Sequence, residues 1–320
     1  MNILITSAGR RGYLIRYFQD ALKNKGKVFA ADCSEYAPAL YDADEYFIIP
    51  EASDRNYINK LIKICEKNSI NGIVSVNDLE LPVLAKNKSK FSDKGIEVII
   101  SNPKVTGIRY DKYKTFMFLK KNGFPTPKTF ISLERSLEKI KEGDLKLPLL
   151  LKPRKGSAGI GIKKVYNVKE LQNEFDNKKD VIIQEFIKGD EYGADVFNNS
   201  KLIPVAIFVK KKIKMRAGET DKAISVYDEK MIEFIRDVAK KLGFYGPADI
   251  DLFKRNNEYS ITDINPRFGG GYPLSHALGA DFPSKIISLI NKGKLQAKYS
   301  GYPENVLMMK QYEIVIKLID

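Results

Sequence analysis

The sequence predicts a mixed α/β and α+β chain, with a doubly wound parallel sheet at its N-terminal end and antiparallel strands toward its C-terminal end. Two observations carry this. Across roughly the first hundred residues, short apolar runs alternate with amphipathic stretches at short connections, the pattern of strands joined by crossover helices. Between Gly246 and Gly271, two strand-like runs with charges at alternate positions flank the turn formers Lys254-Arg255-Asn256-Asn257-Glu258, the pattern of a hairpin.

Taken in order, Asn2 to Thr6, Lys27 to Ala31, Gly72 to Val76 and Glu97 to Ile100 read as strands. Helices are expected at Tyr13 to Lys23, Tyr57 to Lys67 and Leu81 to Phe91. Ligands of such a sheet gather beyond the carboxyl ends of its strands. Here these are Thr6 to Gly12, Asp32-Cys33-Ser34 and Asn77 to Glu80. The first loop lacks GxGxxG, but hydroxyls and glycines ahead of a helix suit an anionic group. Arg10 and Asp78 are candidates for a substrate's charged ends; helix caps and surface turns are the plain alternative.

Asn102-Pro103 marks a boundary, after which Asp111 caps a helix from Lys112 to Asn122 that Gly123 and Pro125 end. Leu147 to Pro153 is a buried strand that delivers Lys152. It runs into Gly156-Ser157-Ala158-Gly159-Ile160-Gly161, and Ile162 to Tyr166 restarts a strand. A glycine and serine loop offers backbone N–H groups to an anion. Ile162-Lys163 stands where a Walker A would have GK[ST], and no helix follows, so a mobile lid over a triphosphate is the better reading. Val181 to Ile187 is a strand, Glu191 follows a turn, and Leu202 to Lys210 is a strand. Met215 to Lys222 reads as a polar loop with Arg216 as a carboxylate or phosphate partner. Asp228 to Leu242 is an amphipathic helix closed by Gly243, Phe282 to Asn291 a helix, and Val306 to Leu318 a returning strand.

The chemistry concentrates in Ile261-Thr262-Asp263-Ile264-Asn265-Pro266-Arg267-Phe268-Gly269-Gly270-Gly271. Asp263 and Asn265 lie two apart on one strand face, Pro266 stops the ladder, and Arg267 follows at once. A hairpin turn centred on Asn257 sets Asp251 opposite Asp263 and Asp249 opposite Asn265. Facing carboxylates repel. A cation between them reverses that sign, so the pattern points to Mg²⁺ held by few carboxylates plus phosphate oxygens, against an exposed edge with scattered acids. His276, Tyr272 and the three glycines are placed on the acceptor side of this site.

Composition narrows the classes. With 54 basic and 40 acidic residues the net charge is +14, but most lysines alternate with acids along amphipathic stretches, the pattern of solvated faces. Nucleic acid is therefore not favoured as a partner. The clusters Lys152-Pro153-Arg154-Lys155 and Lys210-Lys211-Lys212 adjoin the candidate phosphate site. One histidine and two isolated cysteines argue against histidine catalysis, structural zinc and a disulfide framework. No apolar run has the length of a membrane span, and a soluble cytoplasmic protein is expected.

Together, Asp111-Lys112, Leu151-Lys152-Pro153, Gly156 to Gly161, Gln184-Glu185-Phe186-Ile187 with Glu191, Asp251, and Asp263-Ile264-Asn265-Pro266-Arg267 resemble the ATP-grasp superfamily, in its order and at compatible spacings. The nearest likeness is to short proteins similar to one half of the carbamoyl-phosphate synthase large subunit. The resemblance implies a Rossmann-like domain over residues 1–103, a lid region with its linking helix over 104–187, and a catalytic domain with an antiparallel sheet over 188–320. It also implies that Lys112 and Lys152 reach the ATP phosphates beneath the loop carrying Gly156, Ser157, Gly159 and Gly161. Gln184, Glu185 and Ile187 would bind adenine through their backbone and Glu191 the ribose. Asp251, Asp263 and Asn265 would hold one or two Mg²⁺ ions, for which Mn²⁺ substitutes, and Arg267 would face the transferred phosphoryl group. The implied activity is a carboxylate-amine ligase that forms an acyl phosphate and then an amide, releasing ADP and phosphate, with small-molecule acid and amine substrates and a homodimer allowed. A bicarbonate- and ammonia-using carbamoyl-phosphate synthase component and a non-catalytic ATP-binding regulator are the alternatives.

Overall fold

The computed structural model describes residues 1–156, 161–176, 180–297, 301–311 and 313–317. The N-terminal part alternates β1 (Asn2–Thr6), α1 (Gly12–Leu22), β2 (Val28–Asp32), β3 (Glu45–Ile48), α2 (Tyr57–Lys67), β4 (Ile70–Ser75), α3 (Glu80–Lys86), α4 (Lys88–Ser92) and β5 (Glu97–Val98). The strands form one parallel sheet in the order β3-β2-β1-β4-β5, as the alternation predicts. β1 and β2 are apolar and buried on both faces, which is why they read clearly in the sequence. β3 is an edge strand whose short apolar run Tyr46-Phe47-Ile48 is largely exposed, and sequence reading missed it. The helix expected from Leu81 to Phe91 is two helices parted at Asn87.

Next come α5 (Pro103–Tyr110), α6 (Lys112–Lys121), β6 (Thr129–Phe130), α7 (Leu133–Lys141), β7 (Leu149–Pro153), β8 (Lys163–Val165), α8 (Val168–Glu174) and β9 (Val181–Glu185). Pro103, read from sequence as a break, is the first residue of α5, with the Asn102 side chain accepting from the Val105 N–H. Proline suits that position because its missing N–H would go unpaired there anyway. Strands β6, β9, β7 and β8 form an antiparallel sheet in that order.

The remainder holds β10 (Asp190–Asn198), β11 (Pro204–Arg216), β12 (Glu219–Val226), α9 (Glu229–Leu242), β13 (Gly246–Arg255), β14 (Glu258–Asn265), α10 (Tyr272–Ala277), α11 (Phe282–Ile290) and β15 (Leu307–Met309). Their antiparallel sheet runs β14-β13-β10-β11-β12-β15. Its faces differ, as period-two side chains require. Val196, Ile207, Ile250 and Ile264 pack on Met231, Ile235 and Val238 of α9. The other face is charged and belongs to the site. The segment Met215 to Lys222 is not a loop: β11 and β12 continue through it and turn at Ala217-Gly218, both at positive φ (47° and 76°). Of the returning strand expected from Val306 to Leu318, only Leu307–Met309 pairs among the described residues. Phe282 and Ile286 of α11 share a core with Ile15 and Phe18 of α1, so the end of the chain packs back on the first sheet.

Candidate active site

A cavity of about 780 Å³ opens where the loops after β1 and β4 meet the ends of β7 and β9 and the charged face of the six-stranded sheet. Of the residues expected from sequence, Lys112, Lys152, Gly156, Gln184, Glu185, Ile187 and Glu191 line it. So do Arg10, Asp78, Arg216, Asp251, Asp263, Asn265 and Arg267. Gly161 turns against the Pro153 ring and does not line it. Ser157 and Gly159 lie outside the described residues. Of the three glycines after Arg267, Gly270 borders the cavity. His276 does not: it stacks on Tyr17 with ring centroids 3.7 Å apart, its Nδ1 3.0 Å from the hydroxyl of the buried Tyr272.

The acids arise from one hairpin. Asn256 and Asn257 both take left-handed φ (50° and 63°) and make a two-residue turn, so the turn is centred between them rather than on Asn257. Thr262 is then an extra residue on β14, and this bulge brings Asp251 opposite Asp263 and Asp249 opposite Asn265. On the neighbouring strands the same face carries Glu191, Asp195, Lys210 and Lys212. Glu191 is the second residue of β10, inside the strand rather than ahead of it. Lys212 Nζ bridges Glu191 Oε1 at 2.9 Å and Asp251 Oδ1 at 2.6 Å. Burial pushes the Asp251 carboxyl up to about 7; Lys212 opposes this, while Asp249 and Glu191 add to it. Lys210, equally buried, pairs with Asp195, which also accepts from Ser275 Oγ at 2.5 Å. The Lys210-Lys211-Lys212 cluster was a visible signal, and alternation selects Lys210 and Lys212 for this face.

Lys112 and Lys152 come from different elements and are fixed together. Asp111 caps α6 by accepting from the N–H groups of Tyr113 and Lys114, and both its oxygens take Arg154, at 2.8 and 2.7 Å. That ties the start of α6 to the end of β7, with Lys112 N–H donating to Arg154 O at 3.0 Å. Lys152 Nζ donates to Gln184 Oε1 at 2.7 Å and Lys112 Nζ to Gly156 O at 2.7 Å. Burial lowers the pKa of both lysines, while Asp263 acts against this. Phe186 and Ile187 follow β9 directly and border the cavity beside the Lys152–Gln184 pair.

Arg267 is held from the first sheet. Its Nε and Nη2 donate to the two oxygens of Asp78 at 3.0 and 3.2 Å, and its Nη1 donates to Phe268 O at 2.9 Å. Arg109 of α5 adds a second guanidinium, 2.6 Å from Asp78 Oδ2, and donates from Nε and Nη2 to Asn265 Oδ1 at 3.1 and 2.6 Å. Asp78 is 5% exposed; burial alone would raise its pKa, but Arg267 and Arg109 outweigh it and hold it at about 2. Asp78, expected to meet a substrate's charge, is thus committed to protein cations. Asn265, expected as a metal ligand, turns its carbonyl oxygen to Arg109. Arg109 itself was not singled out from sequence, since a basic residue in the last turn of a helix is ordinarily explained by the helix end alone.

Beside Arg267, Arg11 Nη1 donates to the same Phe268 O at 3.2 Å, and Glu219 accepts from Arg11 Nη2 at 3.0 Å and from Lys310 Nζ at 2.9 Å. Burial works against its ionisation, yet Arg11 and Lys310 hold its pKa at about 2. Both lie in stretches that the sequence placed beside a ligand, Thr6 to Gly12 and Met215 to Lys222, but neither residue was singled out.

Residues 110–271, half of the chain, match the family described as the ATP-grasp domain. The chain belongs to the ATP-grasp family. Residues 3–99 match the PylC-like N-terminal domain. An uncharacterised protein of Methanocaldococcus jannaschii is 31% identical over 271 residues, covering 79% of this chain and 66% of the relative. The carbamoyl phosphate synthase large chain of Campylobacter jejuni is 26% identical over 303 residues, covering 88% of this chain but 27% of its own. A D-alanine--D-alanine ligase of Lacticaseibacillus casei is 26% identical over 248 residues, covering 70% and 68%. In structure, a biotin carboxylase from C. jejuni superposes with TM-score 0.73 at 20% identity, over 96% of this chain and 74% of that one. The chain thus spans about a quarter of the synthase chain and about two thirds of the archaeal relative. The ATP-grasp family members among these are ligases and carboxylases that share this fold. No helix among the described residues is long and apolar enough to cross a membrane.

Proposed function

We propose that this ATP-grasp protein is an ATP-dependent carboxylate-amine ligase acting on a small acid, with the nucleotide phosphates between Lys112, Lys152 and Arg267. One observation carries the reading: Lys112, Lys152 and Arg267 line the same cavity as Asp251 and Asp263. Three cations around one acidic pair suit a triphosphate bridged to a divalent ion.

The metal reading passes a test of fit. Asp251 and Asp263 face each other with hard oxygen donors, and Asp249 and Glu191 place further carboxylates on the same sheet face. Asp251 and Asp263 would hold Mg²⁺ or Mn²⁺. Among the described residues no three His, Cys, Asp or Glu side chains form a cage, so phosphate oxygens and water would complete the shell, as Mg²⁺ prefers. The bound ion would neutralise developing phosphate charge.

Lys112 and Lys152 would orient the terminal phosphate for attack by a substrate carboxylate oxygen, ADP leaving with the electron pair of the broken P–O bond, and Arg267 would steady the charge passing to the acyl phosphate. An amine nitrogen then attacks the acyl carbon, the phosphate leaves with the C–O electron pair, and the amine loses its proton. Glu191 would take ribose hydroxyls and the 184–187 backbone the adenine. We assign residues 1–103 to a Rossmann-like domain, 104–187 to the lid region with its linking helix and 188–320 to the catalytic domain.

The test is a panel of acid and amine pairs assayed for ADP release, with mass spectrometry of the product. Acid-dependent ADP release that Lys152→Ala and Asp263→Ala abolish supports the reading. Mg-ATP binding with no acid-stimulated turnover across the panel would replace it with a regulatory nucleotide-binding role. Carbamoyl phosphate formed from bicarbonate and ammonia would replace it with the synthase reading.

A further inference from the structure

We infer that Asp78 and Arg109 are positioning residues that hold Arg267 and Asn265 in their working orientation, so that the first sheet sets the geometry of the phosphoryl end of the site. This rests on the assignment of Arg267 to the transferred phosphoryl group.

The argument is one of buried charge. Asp78 and Arg109 have side chains 5% and 4% exposed, and Arg267 is 13% exposed. A guanidinium so enclosed needs its donors placed, since an unpaired buried charge is costly. Arg267 commits Nε and Nη2 to the two Asp78 oxygens and Nη1 to Phe268 O, which fixes the plane of the guanidinium. A planar fork held at three points has one orientation left.

Arg109 performs two tasks from a single side chain. Its Nη2 meets Asp78 Oδ2 at 2.6 Å and Asn265 Oδ1 at 2.6 Å, and its Nε meets the same Asn265 oxygen at 3.1 Å. The Asn265 amide is thereby turned so that its oxygen faces α5 and its NH₂ group is the free end. Two cations on one aspartate leave the triad with a net positive charge, which Asp249 Oδ2, 3.6 Å from Arg267 Nη1, partly offsets on the cavity side. Asp78 comes from the loop after β4, Arg109 from α5, and Asn265 and Arg267 from the end of β14. The unit therefore joins three separate stretches of chain, and its correct form depends on all of them being docked.

The experiment compares Mg-ATP and Mg-ADP affinities by calorimetry in the full-length protein, for the wild type, Asp78→Asn, Arg109→Leu, Arg267→Ala and the double variant Asp78→Asn/Arg267→Ala. Thermal melts check that each is folded. Arg267→Ala is expected to weaken ATP by about tenfold, the scale of one charge-assisted hydrogen bond, with ADP changed by less than about twofold. Asp78→Asn and Arg109→Leu should reproduce that selective loss, and the double variant should add nothing to it. Asp78→Glu, which keeps the charge, should restore part of the ATP preference. Equal ATP-to-ADP preference in the wild type and Asp78→Asn, additive losses in the double variant, or no effect of Arg267→Ala would each overturn the inference. If Asp78→Asn fails to fold, Arg109→Leu decides by the same ratio. Because the readout is binding, absence of acid-dependent turnover would count against the ligase reading and leave this result standing.

Discussion

At the scale of single residues, the lysines and Asp78 make separable predictions. Lys152 has a lowered pKa because it is buried, and it donates to Gln184 rather than to an acid. It is held ready for an anion without a strong competitor. Lys152→Ala should lower kcat/KM for ADP release by about 10²-fold or more, the usual effect of removing one aligned transition-state donor. A fall of less than about threefold in steady-state assays would remove Lys152 from the phosphate contacts. Asp78 governs acid stability. Its pKa of about 2 in the folded protein lies below the ordinary value of 3.8, so the unfolded chain binds more protons between these limits. The stabilisation is complete above about pH 4 and is lost as pH falls toward 2, and amounts to about 2 kcal/mol. Urea titrations at pH 5 and pH 2.5 should show this slope in the wild type and a shallower one in Asp78→Asn.

At the scale of elements, Asp111 shows how one cap can serve a site. It satisfies two free N–H groups at the start of α6 and clamps Arg154 at the end of β7, which sets Lys112 beside Lys152. Asp111→Ala should cost about 2 kcal/mol in a denaturant melt, and should also raise the KM for ATP, since the spacing of the two lysines depends on this clamp. A destabilised variant with unchanged KM would show the clamp to be structural only. The elements legible in sequence were those with local signals: the Asp111 cap, the Gly243 stop, and the apolar strands buried on both faces. The hairpin pairing of Asp251 with Asp263 was also readable, although the tight Asn256-Asn257 turn and the Thr262 bulge compensate for each other in reaching it. The Arg109–Asp78–Arg267 unit and the Arg11–Glu219–Lys310 contacts were not readable. Their partners are far apart in sequence, and a lone arginine in a helix carries no periodic signature. The 215–222 segment was read as a loop because it has no apolar run, whereas a strand face lining a polar cavity has the same composition.

At the scale of the whole molecule, the first sheet and the chain's end do not divide cleanly at residue 103. Phe18 of α1 meets Phe268 edge to face at 6.3 Å, and Phe282 and Ile286 fill the same core as Ile3, Ile5 and Ile15. Removing residues 1–103 would expose that apolar surface on Phe268, Tyr272 and Phe282, and would strip Arg267 of Asp78. At about 25 cal/mol per Å² of apolar surface, several such side chains are worth more than the stability of a typical domain can spare. A fragment of residues 104–320 should therefore be degraded by protease under conditions where the full chain is resistant, and should bind Mg-ATP weakly or not at all. Co-expression of residues 1–103 with 104–320 should recover both protease resistance and binding, because the interface is a shared core rather than a hinge. A fragment that is resistant on its own and binds Mg-ATP as the full chain does would show that the first sheet supplies substrate contacts without building the nucleotide site.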